Sequence, residues 1–173
     1  LVVDREGMAV ACDFTLFNLF GTGRIAPGTG LVLAAAPGRN ARNNLTLGPV
    51  MVTNPNTFVI RYASTASGGR AKASSLLGVM ADVLLAKQPV KQAIEAGRVS
   101  IGAGLDDVYA ENGLAVTERK ALEERGHRLR EISKLARVHA LYCPSGLPNK
   151  PQNIDCQVQQ DTRGSGLAVI ADR

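Results

Sequence analysis

Thr57-Phe58-Val59-Ile60-Arg61-Tyr62 is followed by Ala66-Ser67-Gly68-Gly69-Arg70 and then by Leu76, Leu77, Val79, Met80, Val83 and Leu84. The first run is rich in β-branched and aromatic residues and reads as a strand. The last set recurs at three-to-four spacing and reads as a helix reaching Lys87. Between them, Ala63 to Arg70 is a small-residue stretch containing consecutive glycines. A strand that turns on Gly-Gly into a helix brings backbone N–H groups to one place, where they can face an anion or a reacting carbonyl. The plainer reading is a tight turn capped by Ser67.

Upstream, the chain reads as β-structure. Leu1-Val2-Val3 and Met8 to Leu16 flank Asp4-Arg5-Glu6-Gly7, which is a hairpin pattern. Gly21 to Gly30 is too rich in glycine for a helix and lacks the Gly-Lys-Ser/Thr ending of a phosphate loop. Leu31 to Ala36 reads as a short strand or buried extended run, and Pro37 to Asn44 as a surface loop. Val50-Met51-Val52-Thr53 is a strand joined to Thr57–Tyr62 through Asn54-Pro55-Asn56, a turn sequence.

Downstream, Gln88-Pro89 ends the first helix, and Val90 to Ala96 forms a second closed by Gly97. Val108-Tyr109-Ala110 reads as a short strand. Thr117 is placed as N-cap of a third helix that stops at Gly126. The charged stretch Glu118 to Arg137 reads as a solvated helix face. Val138–Tyr142 and Gly166–Ala171 are expected as the final strand pair, with the polar, proline-bearing segment Pro144 to Ser165 as a long loop between them. Strands, then helices, then strands predict an α+β fold rather than alternating βαβ units.

The chain has 173 residues, which suits a single domain, 1–173. No apolar run approaches the roughly 18 residues of a membrane span, and Leu1-Val2-Val3-Asp4-Arg5 does not read as a signal peptide. Net charge is +5, yet the basic residues are scattered, and three Tyr, four Phe and no Trp supply no stacking platform, so no nucleic-acid partner is expected. His127 and His139 are the only histidines, with no Cys-x-x-Cys spacing, so no metal site is expected. Cys12, in an apolar run, reads as a small core residue. Cys143 and Cys156 either pair or stand as free thiols; free thiols are the default reading. Asp13 and Thr15 fall on one face of their strand and Phe14 and Leu16 on the other.

Several segments stand in the order and spacing of one family. They are Val2-Val3-Asp4-Arg5-Glu6-Gly7-Met8-Ala9-Val10, Phe14-Thr15 with Phe20-Gly21-Thr22-Gly23, Pro27 to Leu33, Ala66-Ser67-Gly68-Gly69, and Leu122 to His127. Over most of its length the chain resembles the small subunit of the γ-glutamyltranspeptidase family. That resemblance implies an N-terminal-nucleophile hydrolase, a four-layer αββα sandwich of which this chain is the small-subunit half, with 144–165 as a loop insertion. It implies a self-cleaving precursor, a nucleophilic Thr released just upstream of Leu1 and an α-amine serving as its base. The implied partners are the large subunit of the same precursor and a small amide or γ-glutamyl substrate, with no cofactor. A periplasmic or extracellular location is implied, with a cytoplasmic one left open.

Carried over residue by residue, Gly68 and Gly69 hold the oxyanion and Thr15 holds the nucleophile. Asn18, Arg39, Thr46 and Ser67 fall at substrate-binding positions. The pocket departs from the family pattern in three places. Leu16-Phe17 follows Thr15, so Asn18 is displaced by one. Ala36 and Arg39 stand where the family has Gln and Asp, and Leu45-Thr46 where it has a Ser pair. Arg in place of Asp reverses the field that would hold a substrate ammonium. The alternatives are therefore a same-fold acylase with a non-glutamyl substrate, or a catalytically inactive homologue with a structural role.

Overall fold

The computed structural model describes residues 1–4, 6–17, 19–36, 48–102, 104, 106–147 and 155–170. The chain opens with a small antiparallel hairpin, β1 (Val2–Val3) and β2 (Ala9–Val10). Its turn is held by Asp4, whose Oδ1 accepts the N–H groups of Glu6 and Met8 at 3.0 and 2.8 Å. Strands β3 (Val50–Thr53) and β4 (Ile60–Ser67) follow, pairing antiparallel. Asn54 Oδ1 accepts the N–H groups of Asn56 and Thr57 and closes their connection. A 3₁₀ turn, Gly69–Ala71, leads into α1 (Lys72–Leu84), and α2 (Val90–Glu95) comes next.

A second sheet contains β5 (Val99–Ile101), β6 (Asp107–Glu111) and β7 (Arg128–Ile132). β6 and β7 are parallel, and α3 (Val116–Glu124) makes the crossover between them. The last strands, β8 (Arg137–Leu147) and β9 (Gln157–Gln159), return to the first sheet, whose order is β3-β4-β8-β9 with antiparallel neighbours throughout.

β4 lies inside this sheet, and Tyr62 to Ala66 are buried on both faces. That is why the segment shows small residues without alternation. One face packs Tyr62, Ala66, Val138 and Ala140 against Leu76, Val79 and Val83 of α1 and Val90, Ala93 and Ile94 of α2. The other packs Leu141, Cys143 and Leu147 with Ile60, Cys156, Val158 and Val3, so β1 rides on the face away from the helices.

Several expectations change. Thr117 is inside α3, whose N-cap is Ala115 without a side-chain cap. The helix ends as expected at Gly126, which has φ 87°, with His127 N–H bonded to Leu122 O and Gly126 N–H to Glu123 O. The stretch after Gly126 is not helical: Arg128–Ile132 is strand β7. Phe58 has φ 57°, so β4 begins at Ile60 rather than Thr57. Leu31–Ala36 contributes only an isolated bridge, Ile25 to Val32. β8 runs on through Pro144 to Leu147, and its partners are β4 and β9, while residues 166–170 form no strand. Cys143 and Cys156 form a disulfide, and Cys12 is exposed rather than core. Among the described residues, no helix is long and apolar enough to cross a membrane and no group of His, Cys, Asp or Glu is placed to hold a metal ion.

A buried ion network joins the two sheets. Arg98 Nη1 donates to Asp161 Oδ2 at 2.7 Å and to Ala136 O, and Nη2 donates to Ile94 O at 2.8 Å. Asp161 Oδ2 also accepts the Val138 N–H at 2.7 Å. Arg163 bridges Asp161 and Glu111, and Glu111 in turn accepts the N–H groups of Arg98 and Leu135. Burial alone would raise both carboxyls. For Asp161, the N–H groups of Arg163 and Val138 and the Arg98 guanidinium outweigh it; for Glu111, Arg163 and the Leu135 and Arg98 N–H groups do. Both stay below their ordinary values.

Candidate active site

The Gly68-Gly69 turn stands where β4 leaves the sheet. Gly68 has φ 141° and ψ 30°, and a Cβ there would lie 2.5 Å from Ala136 Cα. Only glycine fits both the dihedral and the space. Gly69 has φ 60° and opens onto free space, with no atom within 4 Å of where a Cβ would stand. Among the described residues, neither glycine N–H donates to an acceptor, whereas Gly69 O accepts the N–H of Lys72. Paired backbone donors on a fixed turn are the kind of group an oxyanion requires. Ser67 precedes them and is exposed.

Thr15 is exposed, and its Oγ1 accepts the Phe17 N–H at 3.1 Å. Among the described residues, its hydroxyl proton has no acceptor. Phe17 and Phe20 both have φ near +60° (58° and 62°). Apolar side chains of the Thr15 segment face outward: Phe14 is 91% exposed and Leu19 87%.

Asp13 ties this segment to the glycine turn. Its Oδ2 contacts the ammonium of Lys72, the first residue of α1, in a pair whose side chains are 19% and 9% exposed. The strand expected to carry Asp13 and Thr15 on one face ends at Val10, and residues 11–16 form no strand; the sequence carries no signal for Lys72, which sits far away in the chain. Asn18, Arg39 and Thr46 lie outside the described residues. The structure therefore places Thr15, Ser67, Gly68 and Gly69 and links their segments through Asp13 and Lys72.

A cavity of about 800 Å³ occupies the face of the first sheet opposite the helices. Leu1, Val2, Val3 and Asp4 line it together with Thr65 of β4, which is three residues before Gly68. His139, Leu141, Leu147, Val158 and residues 166–170 complete a largely apolar wall. Gly166 packs on the His139 ring so closely that a Cβ would approach it to 2.4 Å. The start of the chain and the strand feeding the glycine turn thus share one space.

This architecture is that of the N-terminal-nucleophile hydrolases. A γ-glutamyltranspeptidase from Pseudomonas nitroreducens superposes with TM-score 0.70 at 19% identity, covering 99% of this chain and 97% of that one. One from Helicobacter pylori gives 0.69 at 18% identity, covering 94% and 97%. The transpeptidase enzyme CapD of Bacillus anthracis gives 0.68 at 19%, covering 99% and 97%. A search of curated proteins found no match. The family model for γ-glutamyltranspeptidase matches residues 34–170. The chain belongs to the γ-glutamyltranspeptidase family.

Proposed function

We propose that this chain is the small subunit of a γ-glutamyltranspeptidase-like amidohydrolase or acyltransferase whose nucleophile is a Thr released by self-cleavage just upstream of Leu1. The observation that carries this reading is the Gly68-Gly69 turn, whose N–H groups have no acceptor among the described residues and which follows Thr65, a residue that lines one cavity with Leu1–Asp4. A few further residues, at roughly 3.3 Å each, suffice to bring a preceding Thr to a neighbouring strand end.

In this mechanism the Thr hydroxyl oxygen attacks the substrate amide carbon and its proton passes to the α-amine, whose ordinary pKa of about 8 leaves a usable neutral fraction. Negative charge developing on the carbonyl oxygen is met by the Gly68 and Gly69 N–H groups. The C–N bond then breaks, the leaving amine takes the proton, and an acyl ester remains for water or an acceptor amine. Thr15 donates its free hydroxyl hydrogen to the nucleophile and fixes it. Ser67, Asn18, Arg39 and Thr46 contact the acyl group. The outward-facing Phe14, Leu19 and Phe20 give the large subunit an apolar surface to cover.

The acylase reading is favoured by one observation, Arg39 at the position where the family has Asp, which reverses the field that would hold a substrate ammonium. Two measurements on the complete protein test these readings. N-terminal sequencing of active material is expected to show Thr leading the lighter fragment; absence of Thr, Ser or Cys there overturns the mechanism. Turnover of a γ-glutamyl anilide compared with neutral acyl anilides assigns the acyl group, and preference for the neutral ones overturns the glutamyl assignment.

A further inference from the structure

Lys72 touches both halves of the candidate site. Its backbone N–H is bonded to Gly69 O, and its ammonium meets Asp13, two residues before Thr15. Its position is unfavourable on general grounds. It is the first residue of α1, where the helix field disfavours a cation, and it is only 7% exposed, where an unpaired ammonium is costly. Among the described residues, Asp13 Oδ2 has no hydrogen-bond donor other than that ammonium. An apolar side chain would pack at this place more cheaply, so the pair's distinctive contribution is geometric rather than a gain in stability.

We propose that Asp13 and Lys72 are positioning residues that fix the Thr15 segment relative to the Gly68-Gly69 turn. The proposal rests on the reading of Thr15, Gly68 and Gly69 as the reaction site. Neither Asp13 nor Lys72 touches the substrate. Lys72 holds the Gly69 peptide through its backbone and the Thr15 segment through its side chain, so a break in the pair lets the two halves drift. A misplacement of about 1 Å at a reaction centre costs on the order of 100-fold in rate.

The test uses the complete protein and its processed, active form. Asp13→Asn and Lys72→Met are each expected to lower kcat by at least about tenfold while KM moves by less than about twofold, because positioning acts on the transition state more than on ground-state binding. The double variant is expected to lose no more than the worse single variant, since both remove one shared contact. Exchange of the charges, Asp13→Lys with Lys72→Asp, places an acid at the helix start, where the helix field favours it, and is expected to restore most of the lost kcat. Unchanged kcat in folded single variants, or losses that add, overturns the pairing. Where the single variants fail to fold, the exchanged variant decides: recovered turnover supports the pair and absent turnover overturns it. Gly69→Val and Thr15→Ala separate the two levels. If they abolish turnover while the pair variants do not, the positioning proposal falls alone. If they leave turnover intact, the site reading falls and the proposal with it.

Discussion

Arg98 and Asp161 are 63 residues apart in sequence and meet in the interior through a charged hydrogen bond of 2.7 Å. The bond crosses from the start of β5 to the segment after β9, so it joins the edge of one sheet to the end of the other. Both side chains are nearly inaccessible, at 5% and 0% exposure. Removing one partner leaves the other charge buried without its counterpart. Arg98→Met is therefore expected to destabilise the fold by about 3–5 kcal/mol, read as a lowered urea midpoint. Lys120→Met removes an exposed pair with Glu124 on α3 and is expected to change stability by no more than about 0.5 kcal/mol. Equal effects for the two substitutions would show that burial does not set the energy.

The same network makes stability depend on acid. Asp161 and Glu111 are held below their ordinary values in the folded chain. In the unfolded chain they take up protons first, at about pH 4. Their contribution is complete above that point and is lost as pH falls through the lower, folded-state values. Unfolding free energy is expected to drop as the solution is taken from pH 6 to pH 3. The stability gap between the natural chain and Glu111→Gln is expected to narrow over the same interval. A gap that stays constant with pH would mean that Glu111 is not titrating differently in the two states.

The strand–turn–helix unit is legible in the sequence because each part carries a local signal: β-branched residues, two glycines and a three-to-four apolar repeat. The end of α3 at Gly126 follows from residue type, and Gly68 permits its dihedral without dictating it. β7 escapes such a reading because Arg128-Leu129-Arg130-Glu131-Ile132 is dominated by charge, and its pairing with β6 is a long-range fact. Gly166–Ile170 misleads in the opposite way. Its apolar residues face the cavity and solvent, and among the described residues its backbone pairs with no strand, the Ala168 N–H donating to the Gln160 side chain instead. The Lys72 contact with Asp13 and the ion network escape any motif because their members are brought together only by the folded sheets.

Two glycines flank opposite outcomes for one substitution. Gly68→Ala forces a Cβ to within 2.6 Å of the Ala136 Cβ at a dihedral that side chains rarely adopt. The backbone strain alone is about 1–3 kcal/mol. Gly78→Ala lies within α1, where nothing stands within 4 Å of the new methyl. Lower backbone entropy in the unfolded chain then stabilises by about 0.5–1 kcal/mol. Thermal melts of both variants check the pair, and a Gly68→Ala protein as stable as the parent would show that the turn can relax.

The register Leu141–Val158 and Tyr142–Gln157 puts Cys143 opposite Cys156 in the next step of the ladder, and the two are bonded. β9 is only three residues long and lies at the sheet edge, so its own hydrogen bonds hold it weakly. The disulfide shortens the freedom of a chain segment whose ends are 13 residues apart. Closing a loop of this size is worth about 3 kcal/mol in the entropic account. Of the three cysteines, only Cys12 is then a thiol, and it is exposed. Titration with a thiol reagent is expected to find one reactive group per chain in protein purified without reductant, and three after reduction and denaturation. Replacing Cys143 and Cys156 together with Ala is expected to lower the urea midpoint, and reductant should then have no further effect. Three thiols before reduction would show that the bond does not form. A double variant as stable as the parent would show that β9 is held by its packing on Leu141 and Leu147 instead.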